Sequence, residues 1–413
     1  MLYQVLIRLL SPLVFMITIL EAIKRHGGWR YFAQRLGLSS PQPAKPGYLW
    51  VHCASVGEVK AAEALIRRLQ PDENLLVTTN TPTGAELVEN LFHHTVRHHY
   101  LPLDYPYALR RFLNNQKPKS LWVVETEIWP NLYRLAHNAG VPIQLINARL
   151  SVKTLNSPDW LKRLYRETLS YVETIYARNA SEAARFRTLG AETGKIIVLG
   201  NLKYAGLTPQ PDFPNPIAPI APPPADYVLA ASTHAGEEEA LVQLWQALKR
   251  PELLVIVPRH PRRRNRILKA LAPQRTQVAV LSLNEPLTPN TQFYLYDRIG
   301  ALIPLYQHAK LVIMGGAFTP KGGHNVLEPA SVKACILTGP DMSDFEEETQ
   351  ELLDHGGLIQ LSQLNDLYQR LPPLLSDAEK RQTMGQAAFD VIQQKSHILD
   401  DYLAHLRPRQ SNK

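Results

Sequence analysis

Eight prolines crowd one short stretch of this 413-residue chain: Pro209, Pro211, Pro214, Pro216, Pro219, Pro222, Pro223 and Pro224. Each removes a backbone donor and fixes φ, so that density forbids helix and central strand, and residues 208–225 read as a stiff linker. The chain alternates in the same way on both sides of this break. Before it, apolar runs at 48–54, 75–79, 121–124 and 143–146 read as strands, and 59–69, 84–91 and 131–139 between them as helices. After it, strands are expected at 227–231, 253–257, 277–281, 311–314 and 334–338, with helices at 237–248 and 328–333. A βαβα order builds a parallel sheet covered on both faces. The expected fold class is α/β, with two doubly wound, Rossmann-like domains at 24–207 and 226–413. In such sheets ligands lie beyond the carboxyl ends of the strands. The polar motifs of both halves fall at those ends, which predicts a site in a cleft between the domains. The chain shows no repeat of 20–50 residues, which argues against a solenoid.

The first residues are set apart. Residues 2–23 are almost entirely apolar, interrupted by Arg8, Ser11, Pro12 and Glu21 and followed by Lys24, Arg25, Arg30 and Arg35. No small-residue cleavage site follows, against a cleaved signal peptide. The run is near the minimum for a spanning helix, and Arg8 and Pro12 weaken it. A membrane anchor over 1–23, spanning or interfacial, is expected, with the basic residues leaving the rest of the chain on the cytoplasmic side. The competing reading is a buried amphipathic helix of the first domain. The formal charge of +8 suggests an anionic partner. Cys53 and Cys335 form no CxxC motif and fit a reducing compartment. The run Arg262, Arg263, Arg264 and Arg266 lacks interleaved aromatics and reads as a solvated helix face, so no nucleic-acid partner is expected.

Several motifs can carry chemistry. Residues 314–329, MGGAFTPKGGHNVLEP, pass from a strand through two glycine pairs into a helix opening near His324 and Asn325, with Glu328 about one turn in. Glycines let amides approach an anion, a helix N-terminus presents donors, and a carboxylate can take a ribose diol. The alternative is a plain Gly-rich turn. Ser55 and Glu58 have the spacing of a capping box, yet Glu58 at a strand end can also act as a general base. Glu125 and Glu127 lie two apart, so an extended chain points them the same way, and paired carboxylates raise one pKa. Thr78 to Gly84 forms a hydroxyl-rich turn suited to an N-cap or to a phosphate. Arg149, Lys203 and Arg259 each end a strand and together can form a positive wall. His93, His94, His98 and His99 lack nearby Cys or acidic ligands, so no metal site is expected, and no D-x-D occurs.

Taken together, the segments SVGE (55–58), TTNTPTGAE (78–86), ETEIWPNL (125–132), NARLS (147–151), GNLKY (200–204), STHAGEE (232–238), VPRHP (257–261) and GGHNVLE (322–328) resemble the 3-deoxy-D-manno-octulosonic acid (Kdo) transferases of Gram-negative bacteria. The resemblance implies a GT-B glycosyltransferase on the cytoplasmic face of the bacterial inner membrane. It implies CMP-Kdo as donor, the lipid A precursor lipid IVA as acceptor, an inverting reaction, and neither cofactor nor divalent metal. By position, Glu58 matches the family's proton acceptor, and Glu125 and Lys203 its transition-state-stabilising positions. Pro258 and Arg259, then Ile299, Gly300 and Ala301, then Asn325, Val326, Leu327 and Glu328 match its CMP-binding segments. Ala301 stands where an acidic residue can occur, so the middle segment departs from the pattern. A GT-B enzyme using another nucleotide sugar, or a sugar-nucleotide epimerase, are the alternative readings.

Overall fold

The computed structural model describes residues 2–24, 27–39, 47–93, 95–207, 222–298 and 302–406. Arg25, His94, residues 208–221 of the expected linker, and Ile299, Gly300 and Ala301 lie outside the described residues. The chain divides into two compact units, Met1–Gly206 with His397–Lys413, and Leu207–Ser396.

Unit 1 carries a seven-stranded sheet in which every pairing is parallel. Its strands are β1 (Leu49–His52), β2 (Leu75–Thr79), β3 (Arg97–Tyr100), β4 (Ser120–Val124), β5 (Ile143–Ala148), β6 (Thr174–Ala177) and β7 (Ile196–Val198). They lie in the order β3-β2-β1-β4-β5-β6-β7, so the winding direction reverses between β1 and β4. The central strands read LWVH, LLVTT and SLWVV because both faces are covered, which removes the polar alternation of a half-exposed strand. Trp50, Leu76, Leu121 and Val123 join Phe112, Leu132 and Tyr133 in one core.

Unit 2 repeats the plan, again all parallel. β8 (Tyr227–Thr233), β9 (Leu253–Pro258), β10 (Val278–Val280), β11 (Phe293–Leu295), β12 (Leu311–Met314), β13 (Ile336–Thr338) and β14 (Leu358–Gln360) lie in the order β10-β11-β9-β8-β12-β13-β14. Here the reversal falls between β8 and β12. Strands β6, β7, β11 and β14 are short and have no sequence signal above the background of apolar triplets. β3, sequence RHHY, hides its strand character behind two buried histidines. His98 Nε2 sits 2.9 Å from Thr79 Oγ1, and His99 Nδ1 meets the Tyr100 carbonyl. Burial lowers both imidazole pKa values, to about 3 and about 4.

Two features depart from the sequence reading. The apolar N-terminus forms two helices, α1 (Leu2–Leu9) and α2 (Ser11–Lys24), bent by 54° at Leu10. The break fits Pro12, which has no N–H to give a continuous helix. Among the described residues no single helix is long and apolar enough to cross a membrane, though the bent pair together has the length and composition. Nor is this a buried helix: α2 buries only Thr18 and Ala22, and Leu9, Leu13, Met16, Leu20 and Ile23 are exposed. The Tyr3 hydroxyl donates to Asp104 Oδ2 and Gln4 Nε2 to Asn131 Oδ1, tying α1 to unit 1.

The second departure is at the other end. The sequence division runs the second domain to residue 413, but from His397 the chain belongs to unit 1. Helix Ile398–Leu406 buries Ile398, Leu399, Tyr402, Leu403 and Leu406 there, and the Tyr402 hydroxyl bridges the end of β5 and the loop after β7. Residues this far apart in sequence leave no local sign of such pairing.

Candidate active site

In each unit the candidate side chains lie beyond the strand ends, with Glu58 and Glu125 in unit 1 and Glu237 and the glycine loop in unit 2 flanking the reversal of strand order, where adjacent loops diverge and leave a crevice.

In unit 1, β1 ends and Ser55 caps helix Val56–Leu69, its Oγ accepting the Glu58 N–H at 3.4 Å. Glu58 is buried in the first turn. Its Oε1 accepts from Ser55 Oγ at 3.1 Å and its Oε2 from the Ala54 N–H. The capping geometry and the poised carboxylate are thus one arrangement. Removal from water, then the charge of Glu127, then that of Glu125 push the Glu58 carboxyl up to about 8 against the pull of the Ala54 amide and Ser55. A carboxylate with its pKa near neutrality is a competent general base.

β4 delivers the other two carboxylates. Glu125 does not continue the strand: its φ is +58°, with its N–H donating to the Ile146 carbonyl at 2.9 Å. The extended chain assumed for Glu125 and Glu127 is therefore absent. Glu125 Oε2 lies 3.6 Å from Arg149. Glu127 is reached by Asn80 Nδ2 at 3.5 Å, and Asn80 Oδ1 accepts from the buried Arg35 at 3.0 Å. Burial raises the Glu127 pKa, while Trp129, Arg35 and Asn80 oppose the rise. Glu127 acts on Glu58 more strongly than Glu125 does; the sequence paired it with Glu125 but gave it no catalytic role.

Lys203 lies on the 3-10 turn Leu202–Tyr204, which packs on helix Val56–Leu69. Asn201 Oδ1 caps that turn through the Lys203 N–H, and Asn147 Oδ1 accepts from the Leu202 N–H at 3.0 Å. The Tyr402 hydroxyl accepts from the Asn147 N–H and donates to the Gly200 carbonyl, each at 3.1 Å. Asn147 itself sits at φ +52°. The loops carrying Arg149 and Lys203 are thereby tied together. Thr81 is an N-cap, accepting from the Gly84 N–H, as one of the two sequence readings had it.

In unit 2 the glycine loop is built differently from a phosphate cradle. Glu237, in the first turn of helix Glu237–Leu248, accepts from three amides: His234 at 2.8 Å, Gly316 at 2.9 Å and Phe318 at 3.1 Å. The Gly322 N–H donates to Asp341 Oδ2 and the Gly323 N–H to the Gly316 carbonyl. The glycine amides are taken up by the protein itself. Glycine is still required: Gly316 has φ +69°, and a Cβ there would lie 2.9 Å from His324 Nε2. The His234 and His324 rings stack with centroids 5.1 Å apart, Nε2 to Nε2 at 2.9 Å. Burial first, then Arg259, lowers the His324 pKa to about 4.

The helix after the loop is one turn, Leu327–Ala330, starting later than expected, so Glu328 lies in its first turn. Asn325 Oδ1 accepts from the Leu327 N–H, and Asn325 Nδ2 donates to Glu328 at 3.3 Å. The Val326 and Leu327 side chains are fully buried, which leaves only their backbones for a ligand. Pro258 closes β9, and the next amide, of Arg259, donates to the Thr233 carbonyl. Arg259 and Glu328 both bear electrostatically on the buried Tyr306 hydroxyl, which places them in one neighbourhood. The basic run is partly structural: Arg263 forms a double hydrogen bond with Glu238, and Arg264 lies 3.7 Å from Asp297. Among the described residues no group of three or more His, Cys, Asp or Glu is placed to hold a metal.

A family model described as 3-Deoxy-D-manno-octulosonic-acid transferase (kdotransferase) matches residues 30–206. The 3-deoxy-D-manno-octulosonic acid transferase of Haemophilus influenzae is 33% identical over 98% of this chain and 97% of its own. That of Bordetella pertussis is 30% identical over 94% of each. A glycosyltransferase structure from Rickettsia africae superposes with a TM-score of 0.58 at 12% identity, covering 90% of this chain and 100% of its own, and so shares the fold. Near-complete coverage at one-third identity, on a pair of doubly wound sheets of the GT-B kind, establishes that this chain belongs to the 3-deoxy-D-manno-octulosonic acid transferase family.

Proposed function

We propose that the protein transfers Kdo from CMP-Kdo to the lipid A precursor lipid IVA, inverting the anomeric configuration, with Glu58 as general base. The observation that carries this reading is the Glu58 carboxyl itself: buried, fixed by Ser55 and the Ala54 amide, and pushed up to about 8. Ionised, it takes the proton of the attacking sugar hydroxyl as the new glycosidic bond forms, which is worth about 10²–10⁴-fold. Glu125 and Lys203 stabilise the charge that develops on the donor sugar and its leaving group. CMP departs as an anion, and Lys203 and Arg259 offset its charge without a divalent metal. Pro258, Arg259, Asn325, Val326, Leu327 and Glu328 hold the nucleotide in unit 2, Glu328 on the ribose diol, and residues 299–301 complete that segment by resemblance. The exposed apolar residues of α2 seat the protein on the cytoplasmic face of the inner membrane, where a lipid acceptor resides.

Incubation with lipid IVA and CMP-Kdo, followed by mass spectrometry of the lipid, tests the reading. A mass increase of one or more Kdo units supports it. An unchanged lipid with protein that binds CMP refutes the acceptor, and release of UDP or GDP from hexose donors refutes the donor.

A further inference from the structure

The crevice between β8 and β12 has what an anion site needs, and a carboxyl group of the protein already occupies it. The N-terminus of helix Glu237–Leu248 points there, and three backbone N–H groups, of His234, Gly316 and Phe318, converge on one spot. Helix N-termini and converging amides of this kind bind phosphate. Here the spot holds the carboxylate of Glu237, whose residue is 2% exposed. Its two oxygens satisfy all three amides at 2.8–3.1 Å. The neighbouring Glu238 is as buried, and is absorbed by Thr233 Oγ1 and by both terminal nitrogens of Arg263. The cations left facing the imidazole pair are side chains rather than amides: Arg259 on His324, and Lys321 on His234.

We propose that Glu237 is a specificity-determining residue that restricts the nucleotide site to donors with a single phosphate. This rests on the reading of unit 2 as the nucleotide-binding half. One phosphate is served by side-chain cations at the rim. A second, seeking the glycine loop, meets a fixed carboxylate instead of open amides, and like charges at contact distance repel in a buried site. The same contact keeps the loop formed with no ligand present, because its amides do not wait for a phosphate to satisfy them.

Calorimetric titration of the full-length protein with CMP and with CDP tests this, on wild type, Glu237→Gln and Glu237→Ala. Wild type is expected to bind CMP at least about tenfold more tightly than CDP, the scale of one charge-assisted contact. Glu237→Ala is expected to narrow that ratio by about tenfold. Glu237→Gln, which removes the charge and keeps the shape, narrows it as well. A purely structural role lowers both affinities together and leaves the ratio fixed, which overturns the proposal. Wild type binding CDP as tightly as CMP overturns it without any variant, so a misfolded mutant cannot shield it. Wild type binding neither nucleotide overturns the donor reading along with it; CMP binding with no discrimination overturns this inference alone.

Discussion

Replacing Glu58 with Gln should make the protein inactive and, at alkaline pH, more stable. The Glu58 carboxyl stands at 4.5 in an unfolded chain and is pushed up to about 8 in the fold. Between those values the folded state binds the proton more tightly than the unfolded state, so stability falls as pH rises through the window. Below about pH 4.5 the group costs nothing; above about pH 8 its full penalty is present. A rise from 4.5 to about 8, at about 1.4 kcal/mol per unit, gives an upper bound of about 5 kcal/mol. Glu58→Gln keeps an acceptor for the Ala54 amide and removes the buried charge. In a domain the size of unit 1, each kcal/mol moves Tm by about 2–4 °C. Thermal melts of wild type and variant from pH 5 to pH 9 should show the variant ahead by several degrees at pH 9 and converging towards pH 5. Activity on lipid IVA should fall by about 10²–10⁴-fold. Equal Tm values at pH 9 would refute the buried, pKa-raised carboxylate, and normal turnover would refute the base.

Glu127→Gln removes the larger of the two charges acting on Glu58, so the acid limb of the kcat/KM profile should move to lower pH; an unmoved limb would show that Glu127 does not reach the base. Tyr402→Phe deletes the hydroxyl that bridges Asn147 and Gly200, leaving a buried amide unpaired, and should cost about 1–3 kcal/mol in denaturant melts. Turnover should drop as well in that variant, because the segments carrying Arg149 and Lys203 lose one of their two ties and keep only the Asn147–Leu202 hydrogen bond. Leu13→Glu with Met16→Glu on α2 should abolish co-sedimentation with vesicles containing anionic lipid while leaving CMP binding unchanged; retained sedimentation would remove α2 as the membrane contact.

Much of this protein is local and therefore legible along the chain. A strand buried on both faces must be apolar throughout, so the central strands β1, β2, β4, β8, β9 and β12 announce themselves, and their alternation with helices implies parallel sheets. The Ser55 and Thr81 caps follow from residue type and spacing three positions ahead of an amide. The polar segments at the strand ends are likewise continuous stretches. Tertiary structure decided whatever depends on partners remote in sequence. The position of the strand-order reversal brings Glu58 and Glu127 together across 68 intervening residues, as no periodicity predicts. The left-handed turn at Glu125 sends that carboxylate to Arg149 instead of aligning it with Glu127. The glycine loop looked like an open cradle because sequence shows which amides can converge but not what they converge on, and the answer, Glu237, lies 79 residues upstream of Gly316. The return of the last helix to unit 1 has the same cause: Tyr402 finds its partners 255 and 202 residues away. Backbone preference acts over a few residues and is written locally; burial, charge coupling and hydrogen-bond satisfaction act through space, and only the folded chain states them.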